Sequence, residues 1–203
     1  YDALREYSEK EKIPSQFLEK LGLREKKFQG ETVLEIPYMD TIGDEIFCRY
    51  RLKNGYFKAG KGTRVPYGLW RLKPPEESDD FLILVEREVD AQTLWYRDFP
   101  ALAVQEYANW RGKEEYQYLN LHSELYLVCS LKTQRSIILK QFAMDRLRDK
   151  IQVVNIGGYK SVNKLYKSAP ESFRNRFRNM LKKAIPMDKL ISRDRNAKER
   201  KML

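Results

Sequence analysis

Phe81-Leu82-Ile83-Leu84-Val85-Glu86-Arg87-Glu88-Val89-Asp90-Ala91-Gln92-Thr93-Leu94 is an apolar run that ends in three carboxylates and passes into a helical pattern. An uninterrupted apolar run of this length reads as a strand buried on both faces of a parallel sheet, with Glu86 at its carboxyl end. Open α/β sheets place their chemistry at that end. An ordinary strand followed by a solvated acidic turn would give the same local pattern.

The flanking sequence extends the reading. From Phe81 onward, apolar runs at Phe81 to Val85, Ala101 to Val104, Leu125 to Cys129 and Ile151 to Ile156 alternate with helical stretches near 89–97, 111–119, 134–148 and 170–184. Such alternation implies a parallel sheet with right-handed crossovers. Upstream, residues 1–29 suggest two short helices, the second opened by Pro14-Ser15 and closed by Gly22. Val33 to Pro37, Glu45 to Leu52, Tyr56 to Lys58 and Leu69 to Leu72 then read as a small antiparallel meander, with Asn54-Gly55 marking one turn. The polar, proline-bearing stretch from Lys73 to Asp80 links the two patterns. The expected organisation is a small helical and antiparallel β region over 1–75, an α/β domain over 76–169, and a basic helix and tail over 170–203.

At 203 residues, with 42% hydrophobic and 33% charged residues, the chain can bury a substantial core. Cys48 and Cys129 are distant, lie in apolar runs and form no CxxC pair, so they read as small buried hydrophobes in a reducing, cytoplasmic setting. No segment has the length and apolarity of a membrane span, and no membrane partner is expected. The net charge of +10 is unevenly distributed: residues 1–131 hold 19 Lys or Arg against 23 Asp or Glu, a net of −4, and residues 132–203 hold 20 against 6, a net of +14. A polycationic third favours a nucleic acid or another polyanion, although a solubilising tail has the same composition.

Several segments together resemble the Toprim domains of primase and primase-helicase proteins of phages, plasmids and integrated elements. They are Phe17-Leu18-Glu19-Lys20-Leu21-Gly22-Leu23, Val33 to Tyr38, Tyr67-Gly68-Leu69-Trp70, Val85-Glu86 with Asp90, Thr93 to Tyr96, Pro100 to Leu102 and Ala108 to Arg111. The resemblance implies a Toprim-like, Rossmann-like α/β fold. It also implies, for active members, a strand-end glutamate followed by glycine that works with a later Asp-x-Asp-like pair to hold Mg²⁺ for phosphoryl transfer or phosphodiester cleavage. Clustered carboxylates suit such an ion because it takes oxygen ligands beside phosphate.

The chain departs from that pattern where the chemistry would lie. Arg87 follows Glu86 in place of the glycine, and Gln105-Glu106-Tyr107 replaces the small turn before Asn109-Trp110. Ser130-Leu131-Lys132-Thr133-Gln134 offers no carboxylate after the third apolar run, and Lys160-Ser161 stands where a Lys-Asp pair is expected. Lys132 would repel a cation there. These losses suggest a Toprim fold without its two-acid chemistry, for which no cofactor is expected. If activity persists, Mg²⁺ would be held by Glu86, Glu88 and Asp90, with Glu86 and Asp90 catalytic.

The basic candidates gather elsewhere. Over Glu171 to Ala184, helical spacing puts Phe173, Phe177, Met180, Leu181 and Ala184 on one face, flanked by Arg174, Arg178, Lys182 and Lys183. Pro170 opens this segment and Pro186 closes it. Lys132, Arg135, Lys160 and Lys164 fall in segments expected at one sheet edge, so together these cations form a candidate phosphate-binding set. His122 has no recognisable nucleophile partner and reads as structural. Lys58 to Thr63 lacks full phosphate-loop spacing and reads as a basic turn. Trp70, Trp95 and Trp110 read as packed.

Three functional readings follow. The first is a catalytically degenerate, primase-related domain of a mobile-element replication or defence protein, binding DNA or RNA through its basic last third. The second is a divergent Mg²⁺-dependent primase or nuclease. The third is an adaptor docking on an acidic protein within a larger replication or defence assembly.

Overall fold

The computed structural model describes residues 2–73, 81–104, 116–129 and 146–199, with side chains described to 193 in the last segment. The link 74–80, the turn around 105–107, Asn109-Trp110, the strand exit at 130–134, Lys132 and Arg135 lie outside the described residues, as does most of the helical stretches expected at 111–119 and 134–148.

Helix α1 (Ala3–Glu11) begins where the Asp2 carboxylate accepts the Arg5 amide and ends where Lys12 turns left-handed, and it buries Ala3, Leu4, Tyr7 and Glu11. Helix α2 (Ser15–Lys20) follows Pro14, as the sequence suggests. Four antiparallel strands come next: β1 (Arg24–Phe28), β2 (Glu31–Met39), β3 (Glu45–Arg51) and β4 (Phe57–Gly62), in that order across the sheet. The meander is therefore present, but two of its members differ from expectation. Arg24-Glu25-Lys26-Lys27-Phe28 is an edge strand with almost no apolar alternation, so its signal was hidden. Leu69 to Leu72 is not a strand. Gly68, at φ 115, turns the chain into a short 3₁₀ segment (Leu69–Arg71), and a Cβ there would meet the Trp95 ring at 2.6 Å.

The basic stretch Lys58 to Thr63 likewise falls mostly in β4 rather than forming a turn. A Cβ on Gly60 would lie 2.2 Å from Cys48 Sγ, and one on Gly62 would lie 1.9 Å from the Ile46 carbonyl oxygen. These glycines let β4 approach β3 past its register shift; they do not cradle an anion.

The second sheet has the order β6-β5-β7-β8-β9. Strands β5 (Phe81–Val85), β6 (Ala101–Ala103), β7 (Glu124–Cys129) and β8 (Ile151–Asn155) are parallel, and β9 (Ile185–Pro186) closes one edge antiparallel to β8. Pro186 thus belongs to an edge pairing, where its missing N–H is tolerated. The helices described with this sheet are α3 (Glu88–Tyr96), the short α4 (Tyr116–Leu119), α5 (Val162–Ser168), α6 (Phe173–Lys182) and α7 (Met187–Glu199). Helix α5 was not anticipated.

One continuous core joins both sheets, running from Leu4 and Tyr7 through Tyr38, Tyr67 and Ile83 to Leu165, Phe173 and Phe177. Helix α3 sits at its centre with every residue from Glu88 to Trp95 buried. Phe173 and Phe177 stack at 5.4 Å, and the Phe99 ring meets Phe177 edge-on at 5.2 Å, so the apolar face of α6 is packed as its spacing predicts. Cys48 and Cys129 are buried free thiols. No helix among the described residues is long and apolar enough to cross a membrane.

Candidate functional site

A cleft of about 590 Å³ opens beside the carboxyl end of β5, between that edge and the antiparallel sheet. Its wall is built from distant segments: Lys10 and Glu11 from α1, Arg49 and Arg51 from β3, Arg64 after β4, Glu86 to Val89 at the β5–α3 junction, and Lys164 and Lys167 from α5. Seven cations therefore face three carboxylates, Glu11, Glu86 and Glu88, so the cleft favours an anion.

The cations differ in how they are held. Arg49 pairs with Glu88 at 2.5 Å, Arg51 reaches Glu6 at 3.4 Å across the Tyr7 ring, and Lys167 bonds Glu11 at 2.8 Å. Lys10, Arg87 and Lys164 are exposed, and their charged ends have no hydrogen-bond or ion-pair partner among the described residues. These three leave charged groups open to an incoming anion.

The acids expected to hold a metal differ in how the fold engages them. Glu86 is half-buried on the cleft wall. Glu88, two residues on, is buried and accepts hydrogen bonds from the Tyr38 hydroxyl and from Arg49, both at 2.5 Å. Asp90 is buried behind it and accepts the backbone N–H of Asn163 at 2.8 Å, in the first turn of α5. Burial pushes the Asp90 carboxyl up to about 6, against the opposing pull of the Asn163 N–H and the Arg87 charge. Asn163 also donates to Thr93 Oγ1 and to the Glu11 carbonyl, tying α3, α5 and α1 together.

This donor set does not fit Mg²⁺. The ion takes near-octahedral oxygen coordination beside phosphate, whereas two of the three carboxylates already serve the protein's own donors. Residues 130–134, where the resemblance places the second acids, carry none in their sequence. A different acidic group, Glu35 with Glu45 and Cys48, lies on the antiparallel sheet. There Arg24 and Lys26 already neutralise the carboxylates at 2.5 to 2.8 Å, making an ion-pair cluster.

Among the described residues, the predicted basic residues are carried on separate elements. Lys164 enters the cleft, and Lys160 is exposed in the loop leading to α5. Arg178, Lys182 and Lys183 are exposed on or just after α6. Arg174 pairs at 3.2 Å with Asp98, which precedes β6 at the opposite, amino-terminal edge of the parallel strands. Arg49 and Arg51 were missed as site residues. Their signal was available in Phe47-Cys48-Arg49-Tyr50-Arg51, where strand alternation puts both arginines on the same face as Phe47. His122 is buried, with Lys150 donating to its carbonyl at 3.2 Å, and Trp95 is packed with its ring N–H on the Ala101 carbonyl.

The arrangement of a parallel sheet, an antiparallel sheet at its carboxyl edge and a buried α3 defines a Toprim-like fold of the kind found in primase catalytic domains. Among solved structures, the chain is similar to the primase domains of bacteriophage T7 gp4, bound in that structure to an RNA/DNA hybrid and dTTP and interacting with the lagging-strand DNA polymerase. That match has TM-score 0.73 and 18% identity, covering 92% of this chain and 93% of the other. The RNA polymerase domain of Mycobacterium tuberculosis primase DnaG gives TM-score 0.73 and 12% identity over 94% and 78%. The E. coli primase catalytic core gives 0.71 and 14% over 90% and 73%. No protein-family profile and no curated protein matches the sequence.

Proposed function

We propose that this chain is a primase-related nucleic-acid-binding domain that holds the phosphates of DNA or RNA by direct contact with cations and has lost two-metal chemistry. The observation that carries the reading is that Lys10, Arg87 and Lys164 line one cleft with Glu86, while Glu88 is paired with Arg49 and Asp90 is buried on the Asn163 N–H. Arg87 stands where a glycine would leave room for an ion, and it supplies positive charge from the protein itself. Arg178, Lys182 and Lys183 on α6 add a second, sequence-independent contact surface. The T7 and DnaG structures, solved with nucleic acid, support the nucleic-acid-binding part of this reading; work within a mobile-element replication or defence protein is its further part.

The test is titration of labelled oligonucleotides by the wild type and by an Arg87→Gln/Lys164→Gln variant over a range of salt. The double variant is expected to bind more weakly, with the slope of log affinity against log salt reduced by ~0.7 to 0.9 per lost contact. An unchanged slope removes the cleft from the interface.

A further inference from the structure

Resting on the reading of the cleft as a nucleic-acid interface, we propose that the β3–β4 hairpin carries a nucleobase-stacking subsite at the cleft mouth. Phe57 and Tyr56 there receive two unpaired bases of the strand whose phosphates the cleft cations hold. Tyr56 is 73% exposed and Phe57 38% exposed, two large aromatic side chains at consecutive positions of the hairpin. The other exposed large hydrophobics among the described residues, Ile42 and Leu121, lie on separate loops. A lone exposed aromatic is ordinary surface. Phe57 differs in its surroundings, and Tyr56 precedes it in the turn.

Phe57 lies opposite Arg51 in the β3–β4 register and lines the cleft together with Gly55 and Arg64. The Arg49 guanidinium lies 4.5 Å from the Phe57 ring centroid and is itself fixed by Glu88. One side of the ring therefore faces a held cation while the ring remains partly open to solvent, a ready platform for a base. The hairpin is firmly made: the Leu52 N–H donates to the Tyr56 carbonyl and the Gly55 N–H to the Leu52 carbonyl, each at 2.8 Å, and the Tyr56 N–H donates to Asn54 Oδ1 at 3.1 Å. Exposure of the two rings thus belongs to an ordered turn. Bases in a duplex are already stacked on their neighbours, so a surface platform of this kind selects strands whose bases are free.

The experiment compares single-stranded oligonucleotides of about ten nucleotides with abasic strands of equal phosphate count, in DNA and RNA arms, binding to the full chain. The wild type is expected to prefer the base-bearing strand. Tyr56→Ala/Phe57→Ala should lower its affinity for that strand by about tenfold or more and leave the abasic strand unaffected, while Tyr56→Phe/Phe57→Tyr restores binding. Circular dichroism and thermal melting confirm that each variant is folded. Equal affinity of the wild type for both strands, or equal loss on both in the alanine variant, overturns the subsite while leaving the cleft reading intact. Failure of the wild type to bind either strand overturns both. The DNA and RNA arms show which sugar the strand carries.

Discussion

In the cleft, cations arrive from α1, β3, the β5–α3 junction and α5 and line one wall with Glu11, Glu86 and Glu88, whereas on α6 they project from one helix whose other arginines are already engaged. Arg174 is held by Asp98, and Arg176 donates to the carbonyls of Leu165 and Ala169 at 2.9 and 3.0 Å. Each region leaves three exposed cations without a partner among the described residues, Lys10, Arg87 and Lys164 in the cleft and Arg178, Lys182 and Lys183 on or just after α6; they differ in that the cleft gathers its three from separate elements. Charge density along a sequence overstates what a helix can offer when its own neighbours take the donors, and it understates what a fold can assemble from residues far apart.

The comparison first requires that α6 be part of the folded body. Phe177 is fully buried between Phe99 and Phe173, so Phe177→Ala should cost about 3 to 5 kcal/mol in urea unfolding. A cost of a few tenths would make α6 an appended arm and remove the contrast.

On the cleft side, Glu88→Ala should destabilise the protein in the absence of any metal by about 2 kcal/mol, because Arg49 and the Tyr38 hydroxyl lose their shared acceptor. The cost stays below that of breaking a fully buried pair because the Arg49 side chain keeps 24% exposure. A Glu88 kept for an ion would be neutral or stabilising to remove under these conditions.

Asp90 sharpens the same point through pH. Its carboxyl is raised from 3.8 to about 6 by burial, so the folded state holds the proton more tightly than the unfolded chain does. The associated stability is present below about pH 4 and lost as pH rises through 6. Relative to Asp90→Asn, which mimics the protonated group, the wild type should lose roughly 2 to 3 kcal/mol between pH 4 and pH 7. Parallel stability profiles for the two proteins would show that Asp90 is not buried as described.

The smallest effects concern α6 itself. Arg178→Gln/Lys182→Gln/Lys183→Gln should leave the fold unchanged and reduce the salt slope of oligonucleotide binding by at most ~0.7 to 0.9 per residue. Adding Arg174→Gln should bring little further change, since that guanidinium is tied to Asp98. A large additional loss would return the helix to the centre of the interface.

Much of the fold was legible because its strands are buried on both faces. Phe81 to Val85, Leu125 to Cys129 and Ile151 to Asn155 announce themselves as apolar runs, and the spacing of Phe173 and Phe177 marks α6. Strand β1 was hidden because an exposed edge needs no apolar alternation, and α5 because only seven residues carry its pattern. The acids at the β5–α3 junction were legible as a group. What became of them, with Glu86 and Glu88 on the cleft wall, Glu88 paired there and Asp90 buried, depends on Tyr38, Arg49 and Asn163, partners brought from elsewhere by the tertiary fold.

The most direct test of the account is oligonucleotide binding by the full chain in excess EDTA and again in millimolar Mg²⁺ at matched ionic strength. Cations supplied by the protein should hold phosphate without an ion, so binding should persist in EDTA and stay equal or weaken when Mg²⁺ competes for the phosphates. Binding that appears only with Mg²⁺ would contradict it, placing an ion at Glu86 after all.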